Sequence, residues 1–211
     1  MATTGLRDLK KARTRRLIAD TAARLFAERG YERVAVSDVA REAEVAEQTV
    51  YNYFPTKEQL VIDREQQVQD RLRDLIRSRR AGVTPSAAIR GFVLESVAGI
   101  RSIPPEIWRG ELGYLAAISP TVHRLVLELT DRQAASLAAA ISDTTAVAPE
   151  VARLQGIALA AVFQIIISDA GRRARDGQSQ DEIADELRPV VENILDELDR
   201  WMSISAPSAG H

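Results

Sequence analysis

The chain has 211 residues, 45% of them hydrophobic, with a formal charge of −2. That is enough apolar matter for one large domain or a small one joined to a larger, and it excludes intrinsic disorder. There are no cysteines, which excludes disulfides, thiolate metal sites and a cysteine nucleophile.

The first sixteen residues, MATTGLRDLKKARTRR, are polar and basic and hold no apolar stretch of the kind that directs secretion. The most apolar run, residues 156–167, is shorter than a membrane span and reads as a buried helix. A cytoplasmic protein without a membrane partner is expected. Charge is unevenly spread: residues 1–57 hold 11 Lys+Arg against 8 Asp+Glu, and the rest hold 17 against 22. A basic end on an acidic body suits an anionic partner at that end.

Taken in order, nearly every segment has helical periodicity. Residues 13–29 place Leu17, Ile18, Ala22, Leu25 and Phe26 on one face, and Gly30 stops the helix. Short helices follow at about 36–43 and 47–53, and Pro55 ends the second. A long helix spans 57–80. Thr84-Pro85 and Ser119-Pro120 are cap-and-proline starts for helices reaching about 101 and 142. Another helix fills 106–118, and residues 150–176 form one that is apolar nearly all round. Ser179 and Glu182 have capping-box spacing and open the last, to about 202. The expectation is an all-α fold of about nine helices with no strand. Residues 1–56 form a helix-turn-helix domain with a basic arm, 57–202 a larger helical domain, and 203–211 a flexible tail.

The informative stretch is VSDVAREAEVAEQTVYNYFPTKEQL, residues 36–60. Two short helices stand about three residues apart, with Val39, Ala40, Val45, Val50 and Phe54 able to pack inward. The second exposes Glu47, Gln48, Thr49, Tyr51, Asn52 and Tyr53. With RRLIADTAARLFAERGY before it, residues 15–31, this segment resembles the DNA-binding domain of the TetR family. The likeness covers about residues 13–62; beyond that, only helix pattern and length are similar.

The resemblance implies that residues 47–53 enter the major groove of operator DNA. Gln48 and Asn52 are then suited to paired hydrogen bonds with adenine, and Tyr51 to a thymine methyl or a phosphate. Ser37, Glu47, Thr49 and Tyr53 join the DNA-contacting set. Lys57 adds charge at a helix N-terminus, and Arg13, with Arg15 and Arg16, reaches DNA from the arm. Three positions depart from the family pattern. Glu44 stands where glycine is frequent in the turn, Ala46 cannot cap the recognition helix, and Ala35 lacks a hydroxyl.

The same resemblance implies a homodimer built on the last two long helices and an effector cavity in the body. The apolar seam of Ile183, Leu187, Val191, Ile194 and Leu198 fits the dimer. Candidates facing a small-molecule effector are Phe92, Trp108, Tyr114, Phe163 and Gln164, with Glu95, Glu111 and His123 as polar anchors. No metal ligand set, cofactor motif, HExxH, phosphate loop or nucleophile elbow is present, so catalysis is not expected. The expected function is a transcriptional regulator, a repressor released from its operator by the effector. The alternatives are an activator, a regulator controlled by a protein partner and, more distantly, a helical adaptor.

Overall fold

The structure, a computed structural model, describes residues 5–204. Ten α-helices follow one another: α1 (Leu6–Arg29), α2 (Val36–Glu42), α3 (Glu47–Tyr53), α4 (Lys57–Arg77), α5 (Pro85–Gly99), α6 (Pro105–Trp108), α7 (Leu112–Ile118), α8 (Pro120–Ser142), α9 (Pro149–Arg175) and α10 (Gln180–Ile204). Two 3₁₀ turns, Tyr31–Arg33 and Ile100–Ser102, complete the set, and the described residues contain no strand. The all-α expectation holds.

The caps read from sequence form. Thr84 Oγ1 accepts from Ala87 N–H at 3.1 Å and Ser119 Oγ from Val122 N–H at 3.2 Å. The Glu182 carboxylate accepts from Ser179 N–H at 2.8 Å, while Ser179 Oγ accepts from Glu182 N–H at 3.3 Å.

Of the boundaries that differ from expectation, three matter for the site and the core. Helix α1 begins at Leu6, because the Leu, Lys, Arg and Ala residues ahead of the apolar stripe are good helix formers. Arg13, Arg15 and Arg16 are therefore helical and do not lie on an extended arm. The expected helix at 106–118 is broken into α6 and α7 around Gly110. A Cβ at Gly110 would lie 1.7 Å from the Ala23 carbonyl oxygen, so only glycine lets the chain press this closely on α1. At the C-terminus, Ser203 and Ile204 belong to α10, and the rest of the expected tail, 205–211, lies outside the described residues.

Two apolar clusters fill the interior. One joins Ile18, Leu25, Phe26, Val39, Val50 and Phe54 of α1–α3 and the residue after them to Leu112, Leu115, Val122 and Leu125 of α7 and α8. The other gathers Leu72, Ile76, Ile89, Leu137, Leu159 and Leu187 from α4, α5, α8, α9 and α10. Helices α4 and α8 run through both. Between the two stretches of α8 lies Gln133, buried, with its Nε2 without a hydrogen-bond partner among the described residues.

Helix α9 is long and apolar enough to cross a membrane by length and composition. In the fold it packs against α7, α8, α10 and α5, with Leu159, Val162, Phe163 and Ile166 buried in the second cluster. The α10 seam is partly a different thing from what its pattern suggested. Ile183, Leu187 and Val191 are fully buried within the chain, where α10 lies against α5 and α9. Only Ile194 and Leu198 of that seam remain partly accessible. An apolar stripe announces burial but not the partner, and here α5 takes most of it.

Candidate nucleic-acid interface

Helices α2 and α3 are short, and their geometry is set by neighbours more than by their own caps. Asp38 accepts from Ala35 N–H at 3.0 Å, closing the α2 N-terminus from within. That bond, helped by Arg41, holds the Asp38 carboxyl below its ordinary range. Arg24 of α1 pairs with Glu42 of α2 at 2.7 Å and ties the two together. The turn closes through Val45 N–H to the Ala40 carbonyl at 3.0 Å, with Ala40 and Ala43 small and buried at the crossing. Glu44 has φ of 55°, the left-handed value that glycine adopts freely. Ala46 provides no side-chain cap to α3.

Val50 is buried under α3 and Phe54 beneath its end. Glu47, Gln48, Tyr51 and Asn52 point to solvent, while Thr49 and Tyr53 are half-buried at the flanks. Gln48 Nε2 donates to Asn52 Oδ1 at 3.2 Å, so the two amides lie side by side on one face. Ser37, at the start of α2, and Arg13, on α1, are also exposed. Arg7, Lys10 and Lys11 on the first turns of α1 border a groove with Thr14 and Tyr53. These three cations were not singled out from sequence. The basic run LKKARTRR was visible, but its helical spacing, which brings Arg7, Lys10 and Lys11 to the end of α3, was not.

Two expected DNA contacts have internal partners. Lys57 Nζ donates to the Tyr31 carbonyl at 2.6 Å and lies 4.1 Å from the centre of the Tyr31 ring. Burial holds its ammonium below the usual lysine range, against the nearby Glu32 and Glu58. Tyr31 OH donates to Glu58 at 3.3 Å, and burial raises the phenol well above its ordinary value. Arg15 donates through Nε to Asp63 at 2.8 Å and through Nη1 to the Tyr53 carbonyl at 3.0 Å, with its guanidinium 4.7 Å from the Phe54 ring centre. Arg15 is a staple between α1, the end of α3 and α4. Its place on an arm reaching towards DNA is corrected.

The candidate effector residues are dispersed. Phe92 and Phe163 stand 6.5 Å apart, and with Trp108 and Tyr114 they pack on the second cluster. Glu95 and His123 are exposed, and Gln164 is half-buried on α9. Glu111 and His123 border separate small clefts. No two of the eight line the same one of these clefts.

The model of the tetR family of bacterial regulatory proteins matches residues 18–63, from α1 through the first turns of α4. Residues 18–63 thus match the DNA-binding region of that family. Among its relatives, the HTH-type transcriptional regulator TcmR of Streptomyces glaucescens is 26% identical over 134 residues, which are 64% of this chain and 55% of TcmR. The uncharacterized HTH-type transcriptional regulator YuxN of Bacillus subtilis (strain 168) is 40% identical over 47 residues, 22% of this chain and 16% of YuxN. The chain thus matches about half of TcmR and much less of YuxN. A crystal structure of native NalD, the secondary repressor of the MexAB-OprM multidrug efflux pump in Pseudomonas aeruginosa, shares the fold. Its TM-score is 0.57 at 20% identity, over 90% of this chain and 96% of NalD.

Proposed function

We propose that this protein is a cytoplasmic, sequence-specific DNA-binding transcriptional regulator that acts as a homodimer and represses until a small-molecule effector releases it. The observation that carries the reading is the outward face of α3. Gln48 and Asn52 are adjacent, exposed and joined amide to amide, and Tyr51 and Glu47 stand beside them. An amide can donate and accept at an adenine edge in the major groove. Thr49, Tyr53, Ser37, Arg13 and the Arg7–Lys10–Lys11 turn of α1 flank that face and serve phosphates. The names of TcmR and of NalD support regulation, and the latter repression.

Dimerisation is supported by apolar surface outside the α5-facing seam. Leu154, Ile157 and Ile165 of α9 and Val190 of α10 are exposed. The three on α9 share helical spacing, and with Val190 on α10 they suit a two-fold four-helix contact.

The test is selection of bound duplexes from a random pool. An inverted repeat is expected, with half-sites about one turn, roughly 34–36 Å, apart. Gln48→Ala and Asn52→Ala should each change base preference by about 1–3 kcal/mol. Lys10→Ala should weaken all sequences alike and lower the salt slope by about one. A pool with no enriched sequence, or one whose preference is untouched by both amide variants, overturns the assignment.

A further inference from the structure

At the end of α4 away from α3, the α4–α5 connection, the α8–α9 connection and the end of α10 enclose an open cleft of about 720 Å³. Three arginines line it, Arg77, Arg79 and Arg80, and no Asp or Glu does among the described residues. Its apolar wall is Val83, Pro85, Val147 and Met202. The volume falls within the range of small-molecule sites.

Arg79 is the centre of the cleft's chemistry. Its Nε donates to the Val83 carbonyl at 3.1 Å, Nη1 to the Ile76 carbonyl and to Thr144 Oγ1 at 2.6 Å, and Nη2 to Thr145 Oγ1. Every one of these acceptors is neutral. Burial lowers its pKa and no carboxylate offsets it, whereas Arg101 and Arg172 are raised by aspartates beside them. The guanidinium is thus fixed in place by four hydrogen bonds while its charge is left unbalanced. Arg77 is paired with Asp143 at 2.7 Å, and Arg80 is exposed at the rim.

Gln155 of α9 is the second, independent observation. It is 2% exposed and lines the cleft. An amide in the wall of a cleft that also holds an unbalanced cation can donate to the same oxyanion.

We infer that this cleft binds a small organic anion, a carboxylate or phosphate carried on an apolar body. The anionic head sits against Arg79 and Gln155, and the apolar part lies over Val83, Val147 and Met202. A guanidinium already held in one orientation loses little freedom on meeting an oxyanion. The assignment deepens the effector part of the proposed regulator by naming where a ligand docks and what chemistry it has, but the binding itself does not require DNA.

The test is calorimetric titration of the full chain with octanoate and with hexyl phosphate, and with octanol as a neutral probe. Saturable binding of at least one anion is expected, about tenfold or more tighter than octanol and weakened by salt. Two substitutions probe the site without dismantling the Arg79 bonds. Gln155→Leu removes the amide at similar volume, and Ala146→Glu places a carboxylate on the exposed lining. Each should weaken anion binding about tenfold or more while the melting temperature is kept, and Gln155→Leu should leave octanol unaffected. No binding of either anion, equal binding of octanol, or anion binding indifferent to Ala146→Glu overturns the inference. Operator binding measured on the same preparations separates the two readings. An anion bound without any selected DNA sequence would leave the cleft assignment standing and remove the regulator, and the reverse result would do the opposite.

Discussion

With φ of 55°, Glu44 holds an L side chain in the left-handed region, which is unfavourable by about 1–2 kcal/mol relative to glycine. Glycine would in turn make the unfolded chain more flexible, at about 0.4–1 kcal/mol. Glu44→Gly is therefore expected to stabilise the protein by about 0.5–1 kcal/mol in denaturant melts. It should also tighten DNA binding by removing a negative charge beside α3; a loss of stability would show that the turn is not strained. Gly110 works in the opposite sense. A Cβ there meets backbone, which cannot rotate away, so Gly110→Ala should destabilise by about 1–3 kcal/mol or more, read by thermal unfolding. The strain at Glu44 was legible in the sequence because the departure from glycine is local. The role of Gly110 was not, because the atom it avoids belongs to Ala23, far away in the chain.

At the scale of helices, caps explain what could be read and tertiary partners what could not. Thr84, Ser119 and the Ser179–Glu182 box depend on residues three apart, and all three form as spaced. The break between α6 and α7, the early start of α1 and the partner of the α10 seam depend on contacts across the fold. The same limit applies to the candidate site. The exposed face of α3 follows from period alone, but the inward turn of Lys57 towards Tyr31 and of Arg15 towards Asp63 needs the packed neighbours. The helix starts also set an acid response. The Asp38 and Glu182 carboxyls accept backbone N–H groups at the starts of α2 and α10 and are held below their ordinary values. Their contribution is present in full above the unfolded value, near pH 4, and disappears as pH falls through the lower folded values. Urea melts from pH 7 downward should show stability declining below about pH 4, with Asp38→Asn plus Glu182→Gln flattening that decline. An unchanged slope in the double variant would assign the acid response to other groups.

For the whole molecule, the buried and the exposed faces of α9 and α10 predict different outcomes for similar changes. Leu187→Asp places a charge in the second cluster and should abolish the fold, with a loss of about 4 kcal/mol or more. Ile157→Asp changes an exposed position and should keep the helical signal in circular dichroism while sedimentation shifts from dimer to monomer. A dimer that survives Ile157→Asp and Leu154→Asp together would move the interface elsewhere. The first apolar cluster, which holds Phe54 beneath α3 together with Leu115 and Val122 of α7 and α8, has a consequence for engineering. Ser119, the cap of α8, also donates to Glu32 in the turn after α1. A hybrid regulator spliced at residue 56 would seat a foreign helix-turn-helix on a surface shaped for this one, leaving Leu112, Leu115 and Leu125 against mismatched side chains. Such a chimera should express poorly unless α7 and the first half of α8 travel with the head. The interchangeable part is then a discontinuous unit, and its seam runs through the middle of α8.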